Sequence, residues 1–423
     1  MSAVVIQGTC GWSDQSLLDC KRFYPFKVKS SVEKLHFYSR CGNFGCVEVD
    51  SSTYNIPAPS TVSKWVDSTP SGFKFHFKAF GFLVNGGGKV STLPIEIRST
   101  FSFNSLSKDK YLSIDSIGED AACAIWKYFH DALQPAQLAG KLGVVVFQFQ
   151  LKILPSESSR RYIEYCARKL DPSILMGIEF RNRKWFDGPE LNKTQQWLST
   201  LRSDNNITLI CCDDLEHEVY QKDSEQCGLP PGKSLVHLPI HFALSRCSKF
   251  LYVRVHRRFG MHRILSESEI EAWVARIVSL DEPEKVSMGE VHGPCPIYFL
   301  WGTDHEDQPI INAKNLAHAL PSYMLSSYPL GRATLVQTVQ STGIMAAFAR
   351  TAAAQKDMSQ TEGSADGKEG EAGRNLNDVQ SSSNVRPSSK RKIHDGVAET
   401  GQENALRSSG KKATILSFFK PIN

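Results

Sequence analysis

The sequence predicts a (β/α)8 TIM barrel followed by a disordered C-terminal tail. Short apolar strands alternate with helical segments through residues 1–325, and eight such strands are present. Beyond Ala354 the composition changes to Ser, Gly, Glu, Lys, Asn and Gln, with no aromatic residue between Phe348 and Phe418. No Gly-x-Gly-x-x-Gly follows a predicted strand, so an open dinucleotide-binding sheet is the weaker alternative.

The eight strands are predicted from short apolar runs or from alternation of apolar and polar residues. They cover residues 4–6, 46–51, 73–79, 144–149, 174–180, 207–213, 250–256 and 296–301. Helices are predicted between most of them, and two helix starts carry capping boxes, Ser30 with Glu33 and Ser266 with Glu269. Another helix is predicted over 120–141, with a kink at Pro135.

The rest of the chain divides by pattern and composition. Residues 85–116 and 215–249 interrupt the barrel as irregular insertions, and the first is a candidate lid. Residues 326–354 are predicted as a short helical or connecting segment, residues 355–411 as a disordered linker, and residues 412–421 as a binding peptide.

Composition narrows the class of protein. The 423 residues contain 11 cysteines, an odd number at irregular spacing, which is typical of reduced thiols inside the cell. The sequence contains no Cys-x-x-Cys pair, so we expect no structural zinc site. A net charge of +5 decides nothing about partners. No apolar run reaches the roughly 20 residues that a spanning helix needs, so we expect a soluble protein with no membrane partner.

Polar side chains recur where the predicted strands end, which is the position of the active site in such barrels. They are Glu48, Lys78, Gln148, Glu179, Arg181, Asp213, Arg254 and His256. Glu179 or Glu48 is the candidate general base, and His256 is the candidate general acid or a ligand. The three cations favour a phosphate or carboxylate ligand, and Gln148 and Asp213 complete the predicted substrate contacts. The alternative is a set of neutralising ion pairs that closes the barrel.

A divalent metal is a further alternative, because four of these residues are ligand types for one. They are Glu48, Glu179, Asp213 and His256. The neighbouring cations argue against it, so no metal site is assigned and the cofactor remains unknown.

Several short motifs together resemble one family, the domain of unknown function 72, or YecE-like, family. They are Gly8–Trp12, Phe23–Pro25, Val47–Tyr54, Phe77–Ala79, Phe147–Phe149, Ile178–Arg181 with Trp185, and Tyr252–His256. The resemblance implies a TIM barrel distantly similar to sugar isomerases and metal-dependent DNA-repair endonucleases, with no settled activity. The sequence departs from the family pattern at Asp50, at Arg257 and at Trp301–Thr303.

The tail carries two motifs. Lys390, Arg391 and Lys392 form a basic cluster of nuclear-import type, for which a solvated charge run is the alternative. Ile415, Phe418 and Phe419 have the spacing that places an aliphatic and an aromatic side chain on one side of a helical turn. This peptide resembles one that binds the sliding clamp PCNA, although Lys412 replaces the expected glutamine.

Together these features favour a nuclear enzyme, with a cytoplasmic pool as an alternative. It would act on a phosphate-bearing, nucleic-acid substrate in a hydrolase- or nuclease-like reaction and be recruited to DNA by the clamp. The alternatives are a catalytically inactive barrel that serves as a binding module in replication or repair, and a sugar or small-metabolite enzyme.

Overall fold

The structure is a computed structural model, and it describes seven ranges of the chain. They are residues 3–202, 205–213, 216–221, 232–237, 248–256, 261–280 and 295–325. The connecting segment 326–354, the linker 355–411 with its basic cluster, the peptide 412–421, and Arg257 lie outside the described residues.

Thirteen strands are described, and most of them are short and buried. In chain order they are β1 Ala3–Thr9, β2 Cys46–Val49, β3 Lys74–Lys78, β4 Gly87–Lys89, β5 Tyr111–Ser113, β6 Leu142–Phe149, β7 Leu175–Phe180, β8 Ile207–Leu209, β9 Cys211–Asp213, β10 Glu216–Gln221, β11 Gly232–His237, β12 Leu251–Val255 and β13 Cys295–Trp301.

Parallel pairing closes nine of these strands into the predicted barrel. One run of neighbours is β2-β3-β6-β7-β8 and the other is β1-β13-β12-β9. The two runs join where β8 continues into β9 through Ile210, whose N–H donates to Ile178 O at 2.8 Å. They join again where Gly45 N donates to Gln7 O at 3.0 Å, between β1 and β2. Because β8 and β9 together occupy one position, the barrel has eight strands, and the fold class is confirmed.

Ten α-helices are described, and the longer ones follow barrel strands. They are α1 Gln15–Asp19, α2 Ser31–Tyr38, α3 Pro59–Ser68, α4 Gly81–Val84, α5 Ile95–Thr100, α6 Glu119–Leu138, α7 Glu157–Lys169, α8 Glu190–Thr200, α9 Glu267–Val278 and α10 Gln308–Ala319. Both predicted capping boxes are confirmed, at the starts of α2 and α9. Helix α6 runs through Pro135 and ends at Leu138.

Both segments predicted as irregular insertions contain regular structure among their described residues, so their predicted irregularity is wrong, while their bounds as insertions stay a prediction. Between residues 85 and 116, β4 and β5 pair antiparallel and enclose α5. Within 215–249, β10 and β11 also pair antiparallel. In the first segment, Gly87 permits this pairing, because its φ is +145° and a Cβ there would lie 2.3 Å from Leu112 O.

The barrel interior has an aromatic layer beneath its polar mouth. The His76 ring packs edge to face against Tyr298 and Tyr252, with ring centroids 4.5 Å and 5.1 Å apart. All three side chains are buried. Because side chains two residues apart share a face, Lys78 and Arg254 lie above this layer, toward the carboxyl ends of their strands. None of the described helices is long and apolar enough to cross a membrane.

Candidate functional site

The guanidinium of Arg254 lies at the centre of the barrel mouth. Its Nη1 donates to Glu179 Oε2 at 2.5 Å and to Gln148 Oε1 at 3.1 Å, while Nη2 donates to Glu48 Oε1 at 2.8 Å. These contacts join β12 to β2, β6 and β7 across the interior. Arg254, Glu48 and Glu179 are all fully buried. Such charges are tolerated in a core only when each is paired and hydrogen-bonded, and this geometry pairs them.

A second guanidinium, that of Arg181, completes the environment of Glu179. Its Nε forms a close ion pair with Glu179 Oε1, and its Nη2 donates to Gln148 Oε1 at 2.8 Å. Burial alone would raise the pKa of Glu179, but Arg181 and Arg254 outweigh it and hold that pKa well below its usual value. Glu179 is therefore ionised and has little tendency to accept a proton.

Glu48 has a different environment on the opposite side of Arg254. Its Oε2 accepts a hydrogen bond from Tyr252 Oη at 2.8 Å. Burial raises the pKa of Glu48 to about 7; Arg254 opposes this rise, while the nearby Asp50 carboxylate adds to it. A carboxylate with a pKa near neutrality is the better general base of the two candidates.

Asp50 and Lys78 form the more accessible edge of the network. Lys78 Nζ lies 3.2 Å from Asp50 Oδ1, and the Asp50 side chain is 31% exposed. Burial would raise the pKa of Asp50, but Lys78 and Arg254 outweigh burial and lower that pKa below its usual value. Asp50 therefore stays ionised beside Glu48.

His256 immediately follows β12 and is 1% exposed. Its Nε2 lies 3.8 Å from Glu179 Oε2, which is beyond hydrogen-bond distance. Burial and the neighbouring Arg254 lower the pKa of His256 well below its usual value, so the ring is neutral. A neutral imidazole lacks the extra proton that a general acid donates. The predicted role of His256 as a general acid therefore receives no support from its environment.

The backbone oxygen of Asp213 accepts a hydrogen bond from His256 N at 2.7 Å, while its side chain contacts helix α9. Its carboxylate accepts a hydrogen bond from Trp273 Nε1 in α9 at 2.5 Å. The residue of this strand that meets the network is Cys212, which pairs in register with Arg254. Successive residues of a strand face opposite sides, so the two neighbours cannot both point inward. The substrate contact predicted for Asp213 therefore receives no support from its position.

The sequence interpretation missed three residues at the mouth. They are Cys10, whose Sγ lies 3.6 Å from Arg254 Nη2, and Cys212 and Tyr252. Strand alternation is the signal for one of them, because Tyr252 lies two residues before Arg254, whereas the position of Cys212 depends on its register with Arg254.

A cavity of about 270 Å³ opens beside Lys78 and Gln148. Barrel strands form one wall, and the segment from α4 through β4 forms the other. Its polar or aromatic lining residues are Thr53, Tyr54, Lys78, Phe80, Phe82, Asn85, Thr92, Gln148 and Gln150. The Tyr54 side chain is 77% exposed. The first predicted insertion therefore contributes part of the wall of this cavity.

A TIM barrel with a buried, charge-balanced network at its mouth is thus the class of protein that fold and site define. The family described as "Protein of unknown function DUF72" matches residues 6–330, and the chain belongs to it. A curated relative is the UPF0759 protein YunF of Bacillus subtilis strain 168, which is 28% identical over 204 residues. That match covers 48% of this chain and 59% of the relative, less than two thirds of its length.

A solved structure of one family member shares this fold, and a second is compared by its coverage. A crystal structure of a DUF72 family protein from Enterococcus faecalis V583 has a TM-score of 0.51 at 13% identity, covering 75% of this chain and 95% of that chain. A DUF72 family protein from Thermotoga maritima MSB8 has a TM-score of 0.49 at 17% identity, covering 74% of this chain and 98% of that chain.

Proposed function

We propose that the barrel is a hydrolase-type enzyme that binds one phosphate-bearing unit of its substrate in the cavity beside Lys78. The observation that carries this proposal is the position of the Lys78 ammonium and the Gln148 amide on one cavity wall. An ammonium and amide N–H groups are donors that suit phosphate oxygens. A volume of about 270 Å³ fits a single nucleotide or sugar phosphate better than an extended ligand.

The hydrogen bonds of Gln148 support its role as a donor to substrate. Its Oε1 accepts from both Arg181 and Arg254, so the oxygen faces the guanidiniums. The two N–H groups of its amide remain as donors on the other side. Tyr54 lines the same cavity with an exposed ring that a sugar or base can stack on.

The charge balance of the mouth also supports an anionic ligand. Three carboxylates face three cations: Glu48, Asp50 and Glu179 face Lys78, Arg181 and Arg254. When Glu48 takes up a proton, one positive charge is left uncompensated. A pKa of about 7 for Glu48 makes this gain of charge available near neutral pH. In hydrolysis this positive charge would develop as Glu48 takes the proton of the attacking water, when the phosphate gains the negative charge of the hydroxide.

In the proposed reaction, Glu48 is the general base that accepts a proton from the attacking water. The water oxygen bonds to phosphorus, the bond to the leaving oxygen breaks, and that oxygen takes up a proton from solvent. Asp50 lies 3.2 Å from Lys78 Nζ and stabilises the charge of that lysine. Arg254 and Glu179 are buried against each other and act as positioning residues. This assignment prefers Glu48 to Glu179 as the base, because a carboxylate held by two guanidiniums has the lower proton affinity.

We further propose that the phosphate belongs to a nucleic-acid substrate and that the tail recruits the protein to the sliding clamp in the nucleus. The support is the tail sequence: the basic cluster Lys390–Lys392 and the spacing of Ile415, Phe418 and Phe419. A pull-down with PCNA compares the full chain with a Phe418→Ala/Phe419→Ala variant. We expect the double variant to lose binding, and equal recovery of both proteins would end the recruitment proposal.

The cavity proposal is tested with a matched pair of lysine variants. Lys78 lies at the carboxyl end of β3, whereas Lys74 lies at the other end and donates to Gly140 O at 2.6 Å. Calorimetry with inorganic phosphate, a nucleoside monophosphate, a sugar phosphate and a short single-stranded oligonucleotide is run on Lys78→Gln and Lys74→Gln. We expect Lys78→Gln to weaken binding by about tenfold or more and Lys74→Gln to leave it unchanged.

Equal affinities of the two variants would contradict the phosphate site. The second candidate function, a binding module without catalysis, is favoured by the full burial of Glu179 and Arg254 against each other. Ligand binding by the wild type with no hydrolysis of any bound phosphoester would support that alternative over the enzyme.

A further inference from the structure

We propose that Glu179, Cys212 and His256 form a binding site for a divalent transition metal ion of the zinc type. The three residues come from β7, from β9 and from the residue after β12. One ligand atom from each lies within 4.8 Å of the other two, and all three side chains are buried. Carboxylate oxygen, thiolate sulfur and imidazole nitrogen are all established zinc ligands. This proposal does not rest on the phosphate site.

His256 supplies the observation that points to a ligand. Among the described residues, neither Nδ1 nor Nε2 has a hydrogen-bond partner, although both atoms are buried. Buried polar atoms normally have a hydrogen-bond partner, and a buried group without one destabilises the fold. A metal ion between His256, Glu179 and Cys212 would satisfy one ring nitrogen.

The two arginines beside Glu179 fit the surroundings of a metal ligand. A carboxylate that binds a metal is usually hydrogen-bonded in turn, and Arg181 and Arg254 hold Glu179 through one oxygen each. They do not supply the negative charge that a divalent ion requires. Cys212 supplies it by losing its thiol proton to solvent as the metal–sulfur bond forms, so the ion meets one carboxylate and one thiolate.

The ligand types select the metal. A thiolate together with an imidazole favours zinc and similar transition ions, whereas magnesium and calcium prefer oxygen ligands alone. Three protein ligands leave the fourth tetrahedral position for water or substrate, which is typical of catalytic zinc rather than structural zinc.

Cys211 provides a matched control for Cys212. The two cysteines are adjacent and both are 3% exposed, but alternation along the strand places their side chains on opposite sides. The full chain, kept reduced, is titrated with Zn²⁺ and with Co²⁺, whose thiolate charge-transfer absorption reports a cysteine ligand. Circular dichroism verifies that each variant is folded.

We expect the wild type and Cys211→Ser to bind the metal and to show the thiolate band, and Cys212→Ser to lose the band. His256→Gln, which keeps the side-chain size, should weaken Zn²⁺ binding by at least about 100-fold, because even residues behind a ligand cost 10–100-fold. The proposal is overturned if the wild type takes up neither ion, or if Cys212→Ser keeps the wild-type spectrum. If Cys212→Ser does not fold, His256→Gln decides: unchanged Zn²⁺ affinity refutes the site.

Discussion

Glu48 and Glu179 contact the same guanidinium from opposite sides, yet the barrel shifts their pKa values in opposite directions. Both side chains are fully buried, and each accepts one hydrogen bond from Arg254. The pKa of Glu179 is held well below its usual value, whereas that of Glu48 is raised to about 7. Burial and the shared arginine are common to both, so neither explains the difference.

The second partner of each carboxylate explains it. The other oxygen of Glu179 faces the charged guanidinium of Arg181, while that of Glu48 faces the neutral hydroxyl of Tyr252. Glu48 also has a second carboxylate, Asp50, beside it. One additional cation thus fixes the ionised state, and one additional anion favours the proton. The protonation state of each carboxylate therefore depends on its neighbours other than Arg254.

The largest loss of stability should come from removing Arg254, the guanidinium that both carboxylates contact. Arg254→Met leaves Glu48 and Glu179 buried with one fewer cation, and we expect a loss of about 3–5 kcal/mol in the free energy of unfolding. Urea unfolding followed by circular dichroism measures it. Arg161→Met is the control, because Arg161 pairs with Glu157 on the surface, where such pairs contribute less than about 1 kcal/mol. Equal losses for the two variants would show that the network is not the source of stability.

The next largest effect is the pH dependence of the stability that Glu48 contributes. Its pKa is higher in the folded protein than in the unfolded chain, so the folded state binds more protons between the two values. The stability contributed by this group is therefore present at low pH and is lost as the pH rises to about 7. Glu48→Gln lacks this loss, and between about pH 5 and pH 8 its stability should rise relative to wild type by about 3 kcal/mol. A constant difference across this range would contradict the raised pKa.

The stability that Glu179 contributes should depend on pH in the opposite direction. Its pKa is lower in the folded protein, so its contribution is present above the unfolded value and is lost as the pH falls toward the folded one. The stability advantage of wild type over Glu179→Gln should therefore be largest near neutrality and should shrink on acidification below about pH 4.5. Urea unfolding at a series of acidic pH values measures it. An advantage that grows with acid would reverse the assignment of the two carboxylates.

Much of the barrel could be predicted from local pattern. Alternating residues identified strands such as β2 and β3, and the serine–glutamate pairs located the starts of α2 and α9. These signals depend on neighbours in the chain. The antiparallel pair β4 and β5 escaped prediction, because its short strands and glycines carry no apolar alternation.

The site was predictable as a set of strand ends but not in its pairing. Which side of a strand faces inward depends on register, and a one-residue difference separates Cys212 from Asp213. The protonation of Glu48 depends on Tyr252 and Asp50 meeting it in space, from β12 and from the turn after β2. The spacing of residues within one strand does not predict contacts between side chains of different strands.

Infrared spectroscopy tests most directly the claim that Glu48 and Glu179 hold different protonation states. The carbonyl stretch of a protonated carboxyl group separates from that of a carboxylate, and it can be followed as the pH changes. We expect a protonated-carboxyl band in wild type at about pH 6 that disappears by about pH 8.5, persists in Glu179→Gln and is missing from Glu48→Gln. A band that is missing from wild type, or that disappears in Glu179→Gln instead, would contradict the account.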